Sequence, residues 1–345
     1  MNHIERFIAT IERRPVDRPA TWLGLPTTAA YDGLFEYFGV NNVLELSLKL
    51  DDDVLPIEMP YHSPSADAIH MALDFSSHGK LENEERTLGE HGFFEGVEDP
   101  ARINDFDWPD PSNHIDPDLC RKMVDELPDD RAIMGILWSS HFQDTNAAFG
   151  MEEAMMMMYD SPEMYHAVIN RCTDFYMEAN RVFYEAVADK IHAVLIGNDM
   201  GSQQGLMVSP ELLHEFVTPC NIRLIEQAKS YGLKVVYHSC GAVSNIIPDL
   251  IESGVDVVHP IQALAAGMEP QGLKDSYGDQ VSFCGGVDAQ NLLVNGTPEE
   301  VAAKVRELRN IFPTGLIISP SHEAILPDIP PANLEALMRA AKGAQ

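Results

Sequence analysis

Two residues with metal-ligand chemistry stand two apart in Lys234-Val-Val-Tyr-His-Ser-Cys-Gly241. The run up to Tyr237 is apolar and reads as a buried β-strand, on which alternate side chains share a face. His238 and Cys240 therefore offer an imidazole nitrogen and a thiolate to one point in space, a metal-ligand pair. The plain alternative is a packed strand end with a hydrogen-bonded imidazole, so the pair matters only in company. Polar residues close the other apolar runs as well: Asn198-Asp199 after 193–196, His259 and Gln262 after 255–258, Cys284 to Asp288 after 281–284, and Ser319, Ser321, His322 and Glu323 after 316–318.

Asp199 reads as a pocket acid that orients substrate or a metal ligand, or else as a loop acceptor for Gly201-Ser-Gln203. Glu323 is a candidate metal ligand or general base, or a solvated carboxylate. Gln262 and Asp288 suit loop or substrate equally. Met155-Met-Met-Met158 fits a core or interface face better than a pocket lining. His62, His70, His78 and His91 lack ligand spacing and receive no role.

The elements that must position these residues follow from the pattern. Apolar runs at 132–138, 193–196, 234–237, 255–258, 281–284 and 316–318 alternate with amphipathic helical stretches at 162–188, 210–230, 244–252 and 298–311, with a last helix at 332–341. Ser161-Pro162, Ser209-Pro210 and Thr297-Pro298 are helix-start signals. Two earlier runs, 20–23 and 54–57, bring the strands to eight, the number that closes a (β/α)8 TIM barrel. The competing open, doubly wound sheet lacks a glycine-rich phosphate loop after its first strand. Helical spacing over 4–12 predicts an N-terminal extension, and 31–38 and 43–50 read as helices. Residues 60–115, rich in Gly, Pro, Asp, Asn and Ser with a β-like Gly92-Phe-Phe-Glu95, read as an irregular insertion over one end of one domain spanning 1–345. In such a barrel the strand C-termini carry the chemistry, and the polar residues above fall there.

The 345-residue chain is 45% hydrophobic, with 54 acidic against 23 basic residues and a formal charge of −31. That field disfavours nucleic acid and anionic membrane surfaces. Five scattered cysteines suit a reducing compartment. Without a signal-like start or a membrane-length apolar run, a soluble, cytoplasmic protein is expected, with a homodimer as the candidate assembly.

Several stretches now occur in a telling order: Arg13-Arg-Pro-Val-Asp-Arg-Pro19, Asn198-Asp-Met-Gly-Ser-Gln203, His238-Ser-Cys-Gly241, Gly254-Val-Asp256, Pro260-Ile-Gln262, Phe283-Cys-Gly-Gly-Val-Asp288, Pro320-Ser-His322 and Pro331-Ala-Asn333. Together they resemble the uroporphyrinogen decarboxylase superfamily, and within it the cobalamin-dependent methyltransferase branch. The resemblance implies a (β/α)8 barrel and a zinc site of His-x-Cys plus a later cysteine. His238 and Cys240 match the first two positions, and His322 stands where the third ligand is expected. Cys284 is the alternative third ligand, although its position does not match the motif. The decarboxylases' arginine motif after the first strand is missing from Leu23-Gly-Leu-Pro-Thr-Thr-Ala-Ala30, which speaks against a polyanionic porphyrinogen. The implied activity is zinc-dependent methyl transfer between a small donor or thiol acceptor and the corrinoid of a partner protein. Decarboxylation of a tetrapyrrole with Asp199 as pocket acid is the second expectation, and a non-catalytic corrinoid- or tetrapyrrole-binding barrel the third.

Overall fold

The computed structural model describes residues 1–75 and 91–343. Its strands, in chain order, are β1 (Leu25–Pro26), β2 (Val54–Glu58), β3 (Ala132–Trp138), β4 (Ala193–Gly197), β5 (Lys234–His238), β6 (Val257–Ile261), β7 (Ser282–Val287), β8 (Leu316–Pro320) and β9 (Ala324–Ile325). Strands β2 to β8 lie side by side in chain order and every pair is parallel. Parallel neighbours need crossovers, supplied by helices such as Pro162–Val187, Thr218–Ser230 and Pro298–Ile311. The expected (β/α)8 barrel is the observed fold.

Closure of the barrel is unusual. Residues 20–23 pair with β8 through Ile318 N–H to the Ala20 carbonyl (2.9 Å) and Trp22 N–H to the Ile318 carbonyl (3.1 Å). On the other side, the contact to β2 runs through aspartate side chains. Thr21 N–H donates to Asp53 Oδ2 at 2.9 Å and Leu23 N–H to Asp52 Oδ2 at 2.7 Å. Both aspartates are buried. Arg6 and Arg18 neutralise Asp53 at 2.7 and 2.5 Å.

Strand periodicity divides the core. Met134, Ile136, Leu195, Val236, Val257, Cys284 and Ile317 point into the barrel with Trp22, while Ile133, Val194, Val235, Val258, Phe283 and Ile318 pack outward under the helices. Phe7 and Ile11 of helix His3–Ile11 belong to the inner cluster, so the N-terminal extension plugs the end of the barrel away from the candidate site. Asn2 and Glu5 form a capping box that starts this helix. Thr297 and Glu300 do the same for Pro298–Ile311, and Ser209 caps Pro210, whereas Ser161 makes no such side-chain bond.

Three local expectations change. The stretch 210–230 holds a π-helical turn, Leu213–Val217, ending two residues before Pro219, which lacks the N–H that a regular helix would bond there. Strand β6 runs past its expected end at 258 to Ile261, with a register shift against β7 between Val258 and Ile261 that accommodates Pro260. Phe93–Gly96 form a turn, and Phe94 joins Phe75, Phe106 and Trp108 in an aromatic cluster. The described parts of 60–115 carry short 3-10 turns at Ile69–Met71, Pro100–Asp105 and Pro111–Asn113; His78 lies outside the described residues. In helix Met151–Asp160, Met157 and Met158 are buried and Met156 is half-exposed. No helix among the described residues is long and apolar enough to cross a membrane.

Candidate metal centre

His238 ends β5, and the parity that turns Val236 inward turns His238 inward as well. Its Nε2 lies 3.5 Å from Cys240 Sγ and 3.1 Å from Asp199 Oδ1. Two donors on one tetrahedral zinc ion, with bonds of about 2.0 and 2.3 Å, stand about 3.5 Å apart. The imidazole and thiol have that spacing.

The loops after β4 and β5 are stitched together. Cys240 N–H donates to Asp199 Oδ1 (3.0 Å), Met200 N–H to Ser239 Oγ (3.0 Å) and Ala242 N–H to the Ser202 carbonyl (2.7 Å). Gly241 has φ +89°, and a Cβ there would sit 2.4 Å from the Gly201 backbone. Only glycine allows both that conformation and that approach. Gln262 Oε1 accepts the Gly241 N–H at 2.8 Å, so this side chain holds the ligand loop from β6.

His322 and Glu323 arrive from β8. His322 has its pKa raised by Cys240 and by the Glu323 charge, against its burial. Its Nδ1 accepts Ala324 N–H at 3.1 Å and lies 3.7 Å from Glu323 Oε2. With the Ala324 bond in place, a neutral His322 carries its proton on Nε2. Ligation through Nε2 requires that proton on Nδ1, beside Glu323. The buried Oε2 of Glu323 has no hydrogen-bond donor and lies 3.5 Å from His238 Nδ1. Glu323 is fixed through its backbone: its carbonyl accepts Leu25 N–H at 2.7 Å, and a Cβ on Gly24 (φ +97°) would lie 2.4 Å from that oxygen.

The field of the cluster favours positive charge at its centre. Burial alone would lower the pKa of His238, but the Glu323 charge and hydrogen bonds to Asp199 and Cys240 raise it well above the ordinary value. For Asp199, burial is overcome by His238, which with Cys240 N–H brings the carboxyl down to about 2. Two sets of donors result: Asp199, His238 and Cys240 on the outer side of the imidazole, and His238, His259 and Glu323 on the buried inner side. The outer set, with its thiol and half-exposed Asp199, fits a zinc ion with a position left for substrate, while His322 belongs to neither set.

Other candidates lie elsewhere. Cys284 is level with Ile317 of β8, one inward-facing layer below Gly286 and Ser319. Its thiol is buried beside Ser319 and its pKa is raised by burial, and it belongs to neither donor set. Asp288 accepts the N–H groups of Gln290, Asn291 and Leu292, holding a turn.

Two neighbours carry no motif. His259 pairs with His238 across β5 and β6, and their Nδ1 atoms are 3.0 Å apart. Trp138 ends β3, and its ring meets His238 edge-on at 5.9 Å. Trp138 and Ser139 both have positive φ, +58° and +59°, a conformation costly for side chains of this kind and common where a residue is aimed at a site. The sequence signal for both was their place at the polar end of an inward-facing strand stripe.

The family model described as uroporphyrinogen decarboxylase (URO-D) matches residues 93–344. A methylated-thiol–coenzyme M methyltransferase of Methanosarcina mazei is 28% identical over 162 residues, 46% of this chain and 40% of that protein. A methylcobamide:CoM methyltransferase of Methanosarcina acetivorans is 23% identical over 224 residues, 65% of this chain and 60% of that protein. The chain thus spans between two-fifths and three-fifths of these relatives' length. A solved methyltransferase from Methanosarcina mazei superposes with a TM-score of 0.71 at 16% identity, covering 99% of both chains, a likeness of fold.

Proposed function

The chain belongs to the uroporphyrinogen decarboxylase family, and we propose that it is a methyltransferase within it. The methyl group moves between a small donor, or a thiol acceptor, and the cobalt of a corrinoid carried by a separate protein. Zinc is held by His238, Cys240 and His322. The observation that carries this reading is the 3.5 Å approach of His238 Nε2 to Cys240 Sγ at the C-terminal mouth of the barrel, and His322 follows β8 at the same mouth as the third donor. The names of the two sequence relatives support the reaction class.

When bound, zinc supplies a Lewis acid that holds a thiol as thiolate or polarises the leaving atom of a methyl donor. Asp199, whose Oδ1 lies on the ligand face of His238, would stand beside such an ion, as a further donor or as the carboxylate that orients substrate at its open position. Glu323 balances charge behind the two imidazoles, and His322 would ligate through Nε2 only on giving up the Ala324 N–H at its Nδ1. Gln262 and the paired glycines keep Cys240 in register. A histidine in the third position leaves the site one negative charge poorer than a two-cysteine site, which favours polarising a donor's leaving group over activating a thiol.

Decarboxylation of a porphyrinogen is disfavoured by the segment after residue 23, which carries no arginine through Ala30, while Arg6 and Arg18 turn to Asp53 at the barrel's other end. The test is anaerobic incubation with a purified corrinoid protein and candidate donors or thiols, following methylcobalamin by its visible spectrum. Methylcobalamin gain or loss that depends on this chain is the expected result. Failure in both directions, with consumption of uroporphyrinogen, overturns the proposal.

A further inference from the structure

His259 has no place in the motifs and is not a ligand of the proposed centre, yet its ring is completely buried. Trp22 packs on it with ring centroids 5.1 Å apart. Among the described residues the ring's only hydrogen-bond partner is Nδ1 of His238 at 3.0 Å, and its Nε2 has none. A purely structural core position would be better served by an apolar side chain, since a buried unpartnered ring nitrogen costs stability. The arrangement is therefore explained by what His259 does for His238.

Two facing Nδ1 atoms can share only one proton. If His259 carries it, a neutral His238 has its proton on Nε2, aimed at Asp199, and cannot ligate there. If His238 carries it, the Nε2 lone pair is free on the side of Cys240. With His238 as the donor, the 3.0 Å contact is an N–H···N bond accepted by His259 Nδ1, and the proton of a neutral His259 then sits on Nε2. Glu323 is the other acceptor within reach of His238, but at 3.5 Å it is more distant and also faces His322.

We infer that His259 is the positioning residue of this centre: its Nδ1 accepts a hydrogen bond from His238 Nδ1–H and so aims the lone pair of His238 Nε2 at the metal position beside Cys240. This rests on the reading of the site as a metal centre. Because the orienting acceptor is a neutral imidazole instead of the more usual carboxylate, His238 is a less basic ligand and the bound metal a stronger Lewis acid. That agrees with the leaving-group role and gives His259 an effect on reactivity as well as affinity.

The test measures zinc affinity by chelator competition for wild type, His259→Phe and His259→Asn, with circular dichroism and thermal unfolding as controls of folding. Phenylalanine removes the acceptor at similar size, whereas the asparagine side-chain oxygen occupies roughly the place of Nδ1. His259→Phe should weaken zinc binding by about 10- to 100-fold, and His259→Asn should restore most of it. In zinc-loaded wild type, ¹⁵N spectra of labelled histidine should show His238 protonated on Nδ1 and His259 on Nε2. Unchanged affinity in a folded His259→Phe variant overturns the inference while leaving the metal centre intact, as does a His238 protonated on Nε2 in the zinc-loaded protein. Wild type that binds no zinc overturns both together.

Discussion

Replacing Asp52 with asparagine should remove a pH dependence that the barrel seam imposes on the whole protein. The Asp52 carboxyl is buried, and burial, reinforced by the neighbouring charge of Asp53, pushes its pKa from 3.8 to about 8 against the hydrogen bond from Leu23. Between those values the folded state holds one proton that the unfolded chain has released. Stability therefore falls as pH rises, by about 1.4 kcal/mol per pH unit. The contribution is complete below pH 3.8 and is lost through about pH 8, roughly 6 kcal/mol in all. Asp53 acts in the opposite sense, since Arg18, His3 and Arg6 outweigh its burial and lower its pKa; its contribution is lost on acidification and is common to both proteins. Asparagine keeps one oxygen for Leu23 N–H but places an N–H where Oδ1 accepts Asp53 N–H at 3.0 Å, a cost independent of pH that leaves the slope of the difference unchanged. Urea unfolding of wild type and Asp52→Asn at pH 5, 6, 7 and 8 isolates the term. The difference in stability should shift toward the variant by about 1.4 kcal/mol per pH unit. Parallel curves would refute the reasoning and show that Asp52 is ionised in the folded protein.

Gly241→Ala forces a side chain into the Gly201 backbone at positive φ; it should cost about 1–3 kcal/mol and lower zinc occupancy, read by thermal unfolding and metal analysis. Trp138→Ala removes the ring beside His238 without touching a donor atom. Zinc content should stay at the wild-type level while KM for the methyl donor rises, and Trp138→Phe should recover most of the loss; a variant that loses its metal would make Trp138 part of the metal's support instead.

The sequence showed most of the barrel because its strands are buried on both faces and read as continuous apolar runs, each ending in polar residues. It showed the donor pair by its two-residue spacing at a strand end, although β5 stops at His238 and the loop held by Asp199 and Gln262 is what carries Cys240 to the imidazole. The first strand was legible as 20–23, but not its attachment: nothing in Asp51-Asp-Asp53 says that two carboxylates replace ladder bonds to Thr21 and Leu23. Cys284 looked reachable because it lies close to a polar strand end, yet the same parity rule, once register with β8 is known, puts it a layer below the site. His259 and Trp138 were in view at strand ends, but their relation to His238 depends on register across strands and on a backbone conformation that no local pattern announces. Gln262 and Asp288 hold loops through backbone N–H groups, a use that residue type alone does not separate from substrate binding.

The central claim is that His238, Cys240 and His322 hold a zinc ion at the mouth of the barrel, and metal analysis of anaerobically purified protein tests it most directly. Wild type should carry zinc near one equivalent, His238→Ala and His322→Ala should each lose most of it, and Cys284→Ser should keep it. A wild-type protein that takes up no metal even on reconstitution would contradict the account, and zinc lost with His238 but retained without His322 would contradict its third ligand.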